Sequence, residues 1–252
     1  MPRRLCSRWQ VVDSLSVLTP GSTYYAIFIG RDRVNKVRIW DLPTRVFHWS
    51  LVLCLVGLVV TGKIGGETMK WHFRLGYTVL SLLLFRLVWG FVGGRWSRFS
   101  VFVVGPTVIL RYLQGRDPAL SVGHNPLGAL SVLSLLGFAL LQVATGLISD
   151  DEIATTGPLA KMVSSAWVDK ATYYHAAIGQ YVLYVLVLLH LGAMFYYRFK
   201  RKENLVPAMW HGDKVLPEPQ QNARDDGKSR LVALVVFVLC AGVVTGLVQW
   251  AG

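Results

Sequence analysis

The chain has 252 residues, of which 53% are hydrophobic and 16% charged, against roughly 25% charged in an ordinary globular domain. Too few polar side chains are present to cover a soluble protein of this size, and disordered, collagen-like and disulfide-scaffold chains are excluded as well. The formal charge is +12. A helical membrane protein is the leading class. The positions of the basic residues decide whether the positive charge indicates nucleic-acid binding or the orientation of membrane spans.

Five stretches are apolar for about 20 residues, the length that a helix needs to cross roughly 30 Å of hydrocarbon. Both faces of each stretch are apolar, which favours membrane spans over amphipathic surface helices. The predicted fold is an all-α integral membrane protein, with a four-helix transmembrane bundle and a fifth C-terminal transmembrane helix. The predicted spans are Thr44–Thr61, Trp71–Gly93, Pro126–Ser149, Tyr174–Phe199 and Leu231–Trp250.

The domain boundaries follow from these spans. Residues 1–37 are an N-terminal extension, 38–202 the four-helix domain, 203–230 a linker, and 231–252 the fifth span.

Lys and Arg are distributed unevenly between the two sides of the predicted membrane. Twenty of them lie in residues 1–45, 94–125 and 198–230. The opposite side carries only four: Lys63, Lys70, Lys161 and Lys170. The positive-inside rule therefore predicts a multi-pass protein of the bacterial cytoplasmic membrane, with its N-terminus in the cytoplasm and its C-terminus in the periplasm. Because the basic residues flank spans next to membrane lipid, nucleic acid is not an expected partner.

Four of the six histidines lie within predicted spans, where an unpartnered histidine is energetically expensive. Any one of them alone is explained as a hydrogen-bonded packing residue. Together they sort by depth: His72 and His175 lie at the outer starts of spans 2 and 4, and His48 lies near the cytoplasmic start of span 1. His190 follows His175 by fifteen residues, which places it about 22 Å deeper on the same broad helix face.

Two imidazoles at each depth, donated by different helices, suit a six-coordinate haem iron. The histidines therefore predict two stacked haems, an outer one held by His72 and His175 and an inner one held by His48 and His190. A single zinc or copper site is excluded because its ligands must lie within a few ångströms of each other. A transporter would carry carboxylates at membrane depth, and the sequence places none there.

Several further residues fit this hypothesis. Gly76 and Gly179 each follow a histidine by one helical turn, where a porphyrin approaches the backbone, although small-residue helix packing explains them too. Arg74 and Arg86 lie in span 2, and arginine suits haem propionates, although Arg74 is also explained by snorkelling to lipid headgroups. Arg86 lies deeper and is predicted to contact haem or quinone.

Two histidines remain, His124 before span 3 and His211 beyond span 4. Both are expected to be solvated or capping residues.

Several segments together resemble the bacterial cytochrome b561 and nickel–iron hydrogenase b-type cytochrome family. The resemblance covers about residues 38–202 and is carried by a basic residue before Phe-His-Trp in span 1 and by two histidines in span 4. The segments are WDLPTRVFHWSLVLCLVGLVVTG (Trp40–Gly62), WHFRLGY (Trp71–Tyr77), RLVWGFVGGRWSRFS (Arg86–Ser100), GHNPLGAL (Gly123–Leu130) and YHAAIGQYVLYVLVLLH (Tyr174–His190).

The resemblance implies a four-helix transmembrane bundle with two non-covalent b-type haems, whose ligand positions fall on His48, His72, His175 and His190. It implies electron transfer between a periplasmic redox partner (a hydrogenase, a cytochrome c or another dehydrogenase) and the quinone pool. Such a protein is an electron-transfer subunit rather than a self-contained enzyme. Two alternatives stay open: a stand-alone quinone oxidoreductase acting on a small oxidant such as superoxide, and a haem-free transporter.

Overall fold

The computed structural model describes residues 35–116, 122–151 and 155–251. The extension expected at residues 1–37 lies almost entirely outside the described residues. The described part is helical, with one small sheet. Its helices are α1 (Leu42–Ile64), α2 (Met69–Val92), α3 (Phe99–Phe102), α4 (Pro106–Leu113), α5 (Pro126–Leu147), α6 (Ser165–Tyr173), α7 (Gln180–Phe199), α8 (Val206–His211) and α9 (Gly227–Ala251), and its strands are β1 (Asn35–Arg38) and β2 (Asp213–Leu216).

Five helical segments in the described part are long and apolar enough to cross a membrane. Their positions confirm the predicted helical membrane fold. They are α1, a segment that comprises α2 and the short 3₁₀ turn before it, α5, the continuous helical segment Ser165–Phe199, and α9. Because successive spans run in opposite directions, two ends of the bundle can be defined. We call the end where α1 begins the sheet end, and the end where α2 begins the far end.

The starts of α1 and α5 are fixed by side-chain caps. Asp41 accepts a hydrogen bond from the Thr44 N–H at 2.9 Å, and Asn125 accepts one from the Gly128 N–H at 2.7 Å. Each cap satisfies one of the backbone donors that a helix start leaves without a partner. Both helices also have proline in the first turn, where its missing N–H costs nothing.

The fourth span is longer than the sequence predicts. Its helical segment begins at Ser165 rather than Tyr174 and runs for 35 residues, or about 52 Å at 1.5 Å per residue. That exceeds the roughly 30 Å hydrocarbon core. The segment missed by the prediction is α6, whose sequence SAWVDKATY is too polar to count toward an apolar span. The turn Tyr174–Gly179 that joins α6 to α7 is π-helical.

The predicted linker 203–230 contains helix α8 and strand β2. Strand β2 pairs with β1 in an antiparallel ladder that sets Arg38 opposite Asp213. The Arg38 guanidinium bridges two carboxylates, Asp213 at 2.6 Å and Asp225 at 2.7 Å. The segment before α9 is thereby attached to the start of α1.

Both of these carboxyl groups are stabilised in their charged form. Burial raises the pKa of Asp213, but hydrogen bonds and attraction from Lys36 and Arg38 outweigh it, and the net pKa is lowered. Burial likewise raises the pKa of Asp225, and hydrogen bonds from Arg230 and the Leu42 N–H, with the charges of Arg230 and Arg38, lower it overall. The ion pairs therefore contribute stability only while the two groups stay ionised.

Helix α2 is the centre of the bundle. In the most apolar 18 residues of its span 44% of the residues are buried, whereas the corresponding share is 6% in α1 and in the fourth span. It packs against α1, α9 and α5, whereas α7 packs mainly against α5 and buries none of its own side chains. The buried cluster on α2 includes Val79, Leu83 and Trp89, and α9 adds Ala233 and Cys240 to it. The fifth helix is therefore an integral part of the core.

Candidate haem-binding site

The structure brings His72 and His175 together at the far end. His72 lies in the first turn of α2, and His175 lies in the π-helical turn before α7. Their ring centroids are 6.1 Å apart and their planes are nearly perpendicular, at 86°. Two imidazoles bound to opposite sides of one metal ion, with bonds of about 2 Å, have centroids about 6 Å apart. The spacing of this pair therefore fits two axial ligands of one iron.

The hydrogen bonds of the two rings identify the nitrogen available for a metal. Nδ1 of His72 lies 3.1 Å from the Leu58 carbonyl oxygen and 3.3 Å from the Thr61 hydroxyl. Nδ1 of His175 lies 2.8 Å from the Gln142 carbonyl oxygen. A histidine that binds a metal typically donates its other ring N–H to a backbone carbonyl, which fixes its tautomer and orientation. Both rings are engaged in this way, so Nε2 is the free ligand atom of each.

Two glycines of neighbouring helices make room for these rings. A Cβ atom at Gly146 of α5 would lie 2.7 Å from Cε1 of His175, and one at Gly62 of α1 would lie 3.1 Å from Cε1 of His72. Larger side chains at either position would push an imidazole aside. Four helical segments thus determine the geometry of the outer pair.

His48 and His190 occupy the deeper level toward the sheet end. The His48 ring meets the edge of Trp49 at a centroid distance of 5.0 Å. Nδ1 of His48 is shielded from solvent and has no hydrogen-bond partner among the described residues. The His48 ring is therefore oriented by packing rather than by a backbone carbonyl.

The π-helical turn changes the angle between His175 and His190. A regular helix would place two residues fifteen positions apart about 60° from each other around the axis. A π turn inserts about one residue and so removes about 100° from this phase, leaving the two about 40° apart in the opposite sense. Both arrangements keep the histidines on one broad face. Among the described residues no cluster of three or more His, Cys, Asp and Glu side chains could hold a metal ion.

Residues 39–212 match the family described as prokaryotic cytochrome b561. The chain belongs to the prokaryotic cytochrome b561 family. The match includes all four histidines of the two pairs and confirms the family resemblance. It extends ten residues beyond the predicted end of the four-helix domain, to Gly212 just before β2.

Curated relatives similar to this chain are described as B-type cytochrome subunits of Ni/Fe-hydrogenases. The "Probable Ni/Fe-hydrogenase 1 B-type cytochrome subunit" of Escherichia coli K12 is 28% identical over 144 residues, which cover 46% of this chain and 60% of the relative. The "Probable Ni/Fe-hydrogenase B-type cytochrome subunit" of Azotobacter vinelandii is 26% identical over 226 residues, covering 73% and 91%. The protein of the same description from Bradyrhizobium diazoefficiens is 24% identical over 219 residues, covering 71% and 85%.

These similarities make the chain a membrane b-type cytochrome of a hydrogenase-associated family, which implies haem b and electron transfer. The spacing of the outer histidines and the engagement of both Nδ1 atoms fit that cofactor.

The two glycines predicted to face a porphyrin have different surroundings in the cytochrome. A Cβ atom at Gly76 would meet nothing within 4 Å, so α2 has open space there. A Cβ atom at Gly179 would lie 2.0 Å from Oε1 of Gln142 and 2.6 Å from the Tyr174 ring. The close approach at Gly179 is therefore made by protein side chains. A haem contact at either glycine stays a prediction.

The two arginines of α2 also differ. Arg74 is exposed, with its guanidinium 4.9 Å from the Trp71 ring centroid. Arg86 is only 3% exposed and lies over the rings of Phe99 and Phe102, at 5.0 and 6.0 Å. Its Nη1 atom has no hydrogen-bond partner among the described residues. A buried guanidinium with an unused donor fits an acceptor oxygen of haem or quinone, and that contact stays a prediction.

His124 was expected to be solvated or to cap a helix, and this expectation is wrong. Its ring packs between Trp40 and Phe102, each with a centroid distance of 4.6 Å, and Asn125 caps α5 instead. Burial lowers the pKa of His124 to about 3, and the charges of Arg86 and His190 lower it as well. The ring is therefore neutral at physiological pH. His211 is exposed at the end of α8, as expected.

Sequence reasoning missed Gln142, whose backbone and side chain both contact His175. A signal was present, because Gln142 is a polar amide in the middle of the predicted third span. Such residues in a membrane are commonly functional.

Proposed function

We propose that this protein is a two-haem electron-transfer subunit of the bacterial cytoplasmic membrane. The outer haem would be held by His72 and His175, and the inner haem by His48 and His190. The observation that carries the proposal is the outer pair, whose ring centroids lie 6.1 Å apart and whose Nδ1 atoms are both engaged by backbone carbonyls. Because two protein ligands on each iron leave no open coordination position, the proposed role is electron transfer rather than substrate binding at iron.

Haem b, when bound, supplies the one-electron redox chemistry. The chain supplies ligation, orientation and an apolar surrounding. Leu58 and Gln142 hold the outer imidazoles through their carbonyl oxygens. The buried guanidinium of Arg86 would donate to the carboxylates of the inner haem, and the exposed guanidinium of Arg74 to those of the outer haem.

The proposed orientation rests on charge. Twenty Lys and Arg residues belong to the sheet-end segments and the N-terminal extension, and four lie in the far-end segments. The sheet end would therefore face the cytoplasm, and His72 and His175 would lie near the periplasmic surface.

The proposed partners follow from the orientation and the relatives. Several relatives are described as nickel–iron hydrogenase subunits. We therefore assign a periplasmic hydrogenase-type partner to the far end and quinone to the membrane as the second redox partner. The chain spans 60% of the length of the Escherichia coli relative, and its partners are accordingly part of the proposal.

Haem quantitation tests the proposal directly. The purified full-length protein should contain two haems per chain by pyridine haemochrome assay and show b-type absorbance bands after dithionite reduction. Addition of a short-chain quinone to the reduced protein should reoxidise both haems. One haem per chain, or a colourless protein, would refute the two-haem assignment, and reduced haems that ignore quinone would refute the quinone role.

Co-purification tests the partner. A tagged chain extracted from its native membrane in mild detergent should carry a nickel-containing hydrogenase. Recovery of the haem-loaded cytochrome with quinone reactivity but without such a partner would instead support the stand-alone oxidoreductase.

A further inference from the structure

The π-helical turn Tyr174–Gly179 has carbonyl groups that accept hydrogen bonds from side-chain amides. In a π turn the backbone bonds span five residues instead of four, and such turns frequently occur at functional sites. The His175 carbonyl oxygen accepts a hydrogen bond from Nε2 of Gln142 at 2.9 Å. The next carbonyl, that of Ala176, accepts one from the side-chain amide of Gln180. Two glutamines therefore support the turn that contains an outer-pair histidine.

Gln142 contacts His175 at two points. Its backbone oxygen lies 2.8 Å from Nδ1 of the imidazole, and its side chain donates to the backbone of the same residue. The first contact orients the ring, and the second holds the backbone from which the ring projects. Gly146, one turn further along α5, allows the ring to lie against the helix. Helix α5 thus presents one face that is shaped to fit His175.

Gly179 leaves the space that the Gln142 amide occupies. A Cβ atom at position 179 would lie 2.0 Å from Oε1 of Gln142, so any larger residue would displace the amide. Oε1 of Gln142 is buried and has no hydrogen-bond partner among the described residues. Burying a polar atom without a partner is unfavourable. A purely structural position would be better served by an apolar side chain of similar length.

We propose that Gln142 is a positioning residue for the outer haem, which fixes the orientation of His175 by holding the π-helical turn, and that Gly179 is required because it admits the Gln142 amide. This inference rests on the proposed role of His72 and His175 as ligands of one iron. It gives Gly179 a function that needs no contact with porphyrin. It also explains how α5, which supplies no ligand, affects the outer site.

The test is Gln142→Met, which keeps the length of the side chain and removes its donor while leaving the backbone bond to Nδ1 intact. The full-length haem-loaded variant should release its outer haem to apomyoglobin about tenfold faster, as expected when a residue that orients a metal ligand is lost. The outer ferric EPR signal, which depends on the angle between the imidazole planes, should shift. The inner haem should keep its release rate, potential and EPR signal.

Leu141→Met is the matched control on the same helix, because it introduces the same residue type one position earlier, where the side chain is 43% exposed. It should behave as the wild type in all three measurements. Gly179→Ala should reproduce the outer-site defects of Gln142→Met. The double variant Gln142→Ala with Gly179→Ala should be no worse than Gly179→Ala alone, because both changes remove the same contact.

An unchanged outer signal and release rate in Gln142→Met would overturn the proposal, as would additive defects in the double variant. Failure of the ligand assignment itself is recognised separately with His175→Ala. If that variant keeps both haems, the outer pair is wrong. If it loses one haem while Gln142→Met behaves as the wild type, only the positioning role is wrong.

Discussion

The two ends of the bundle organise their histidines by different means. At the far end, backbone carbonyl oxygens of α1 and α5 hold the rings of His72 and His175. At the sheet end, Nδ1 of His48 has no such partner among the described residues, and the buried charged residues Asp41 and Arg86 lie in the same half of the bundle. Hydrogen bonds to backbone carbonyls are little affected by salt, whereas arrangements of charges respond to both salt and pH. The outer site should therefore depend on local helix geometry, and the inner site on electrostatics.

Removing a single histidine should produce the largest effect and separate the two levels. His175→Ala or His72→Ala should halve the haem content, because each removes one proposed ligand of the outer haem, and the spectrum of the remaining haem should match the inner one. His48→Ala should give the complementary result. Pyridine haemochrome assays and redox titration measure both outcomes.

His211→Ala is the control for these variants, since that side chain is exposed outside the spans. Full haem content in His72→Ala or His175→Ala would contradict the assignment of these residues to a separate outer site.

Asp41 should dominate the stability of the sheet end. This fully buried carboxylate accepts hydrogen bonds from the N–H groups of Thr44 and Gly94 and from the Trp89 indole. Asp41→Ala would leave these donors without a partner, at about 1–3 kcal/mol for each buried donor. We expect a loss of at least about 3 kcal/mol, seen as a lower thermal midpoint in detergent.

The outer haem should survive this loss better than the inner one. Asp169→Ala, a change of an exposed carboxylate on α6, should leave the midpoint unaltered. A midpoint unchanged by Asp41→Ala would mean that charge does not organise the sheet end.

Arg86→Leu should change the inner haem alone. It removes a cation that is only 3% exposed. Because a nearby positive charge disfavours the oxidised state of haem, its removal should lower the midpoint potential of the inner haem or slow quinone turnover. Arg74→Leu at the exposed far-end position is the comparison. An unchanged titration and rate in Arg86→Leu would reduce this residue to packing against Phe99 and Phe102.

Acidification should produce the smallest effect and should act at the sheet end first. The folded protein lowers the pKa of Asp213 and Asp225. Their stabilisation is therefore fully present above the unfolded value of about 4 and is lost as the pH falls through the lower folded values. Asp213→Asn should remove part of this dependence, by about 1 kcal/mol for a partly exposed pair.

Limited proteolysis between β2 and α9, followed as a function of pH, measures this loosening. Acid-induced cleavage that is identical in Asp213→Asn and the wild type would exclude the ion pairs as its cause.

Much of the fold follows from the sequence because hydrocarbon imposes a length and an apolar composition on each span. The proximity of His72 and His175 also follows, since depth along a helix can be counted in residues. Three features do not. The π-helical turn at His175 accepts hydrogen bonds from the amides of Gln142 and Gln180, and the burial of His124 depends on the rings of Trp40 and Phe102. The polar start of α6 is not detected by a hydropathy criterion.

The β1–β2 ladder can form only late in the synthesis of the chain. Its partners Asn35 and Leu216 are separated by nearly the whole membrane domain, so the ladder cannot close until four spans have left the ribosome. Until then the bundle lacks α9 and the two-stranded sheet that connects its first and last segments. Prosthetic groups inserted during this interval would enter a bundle that can still open, and synthesis of α9 would then close it.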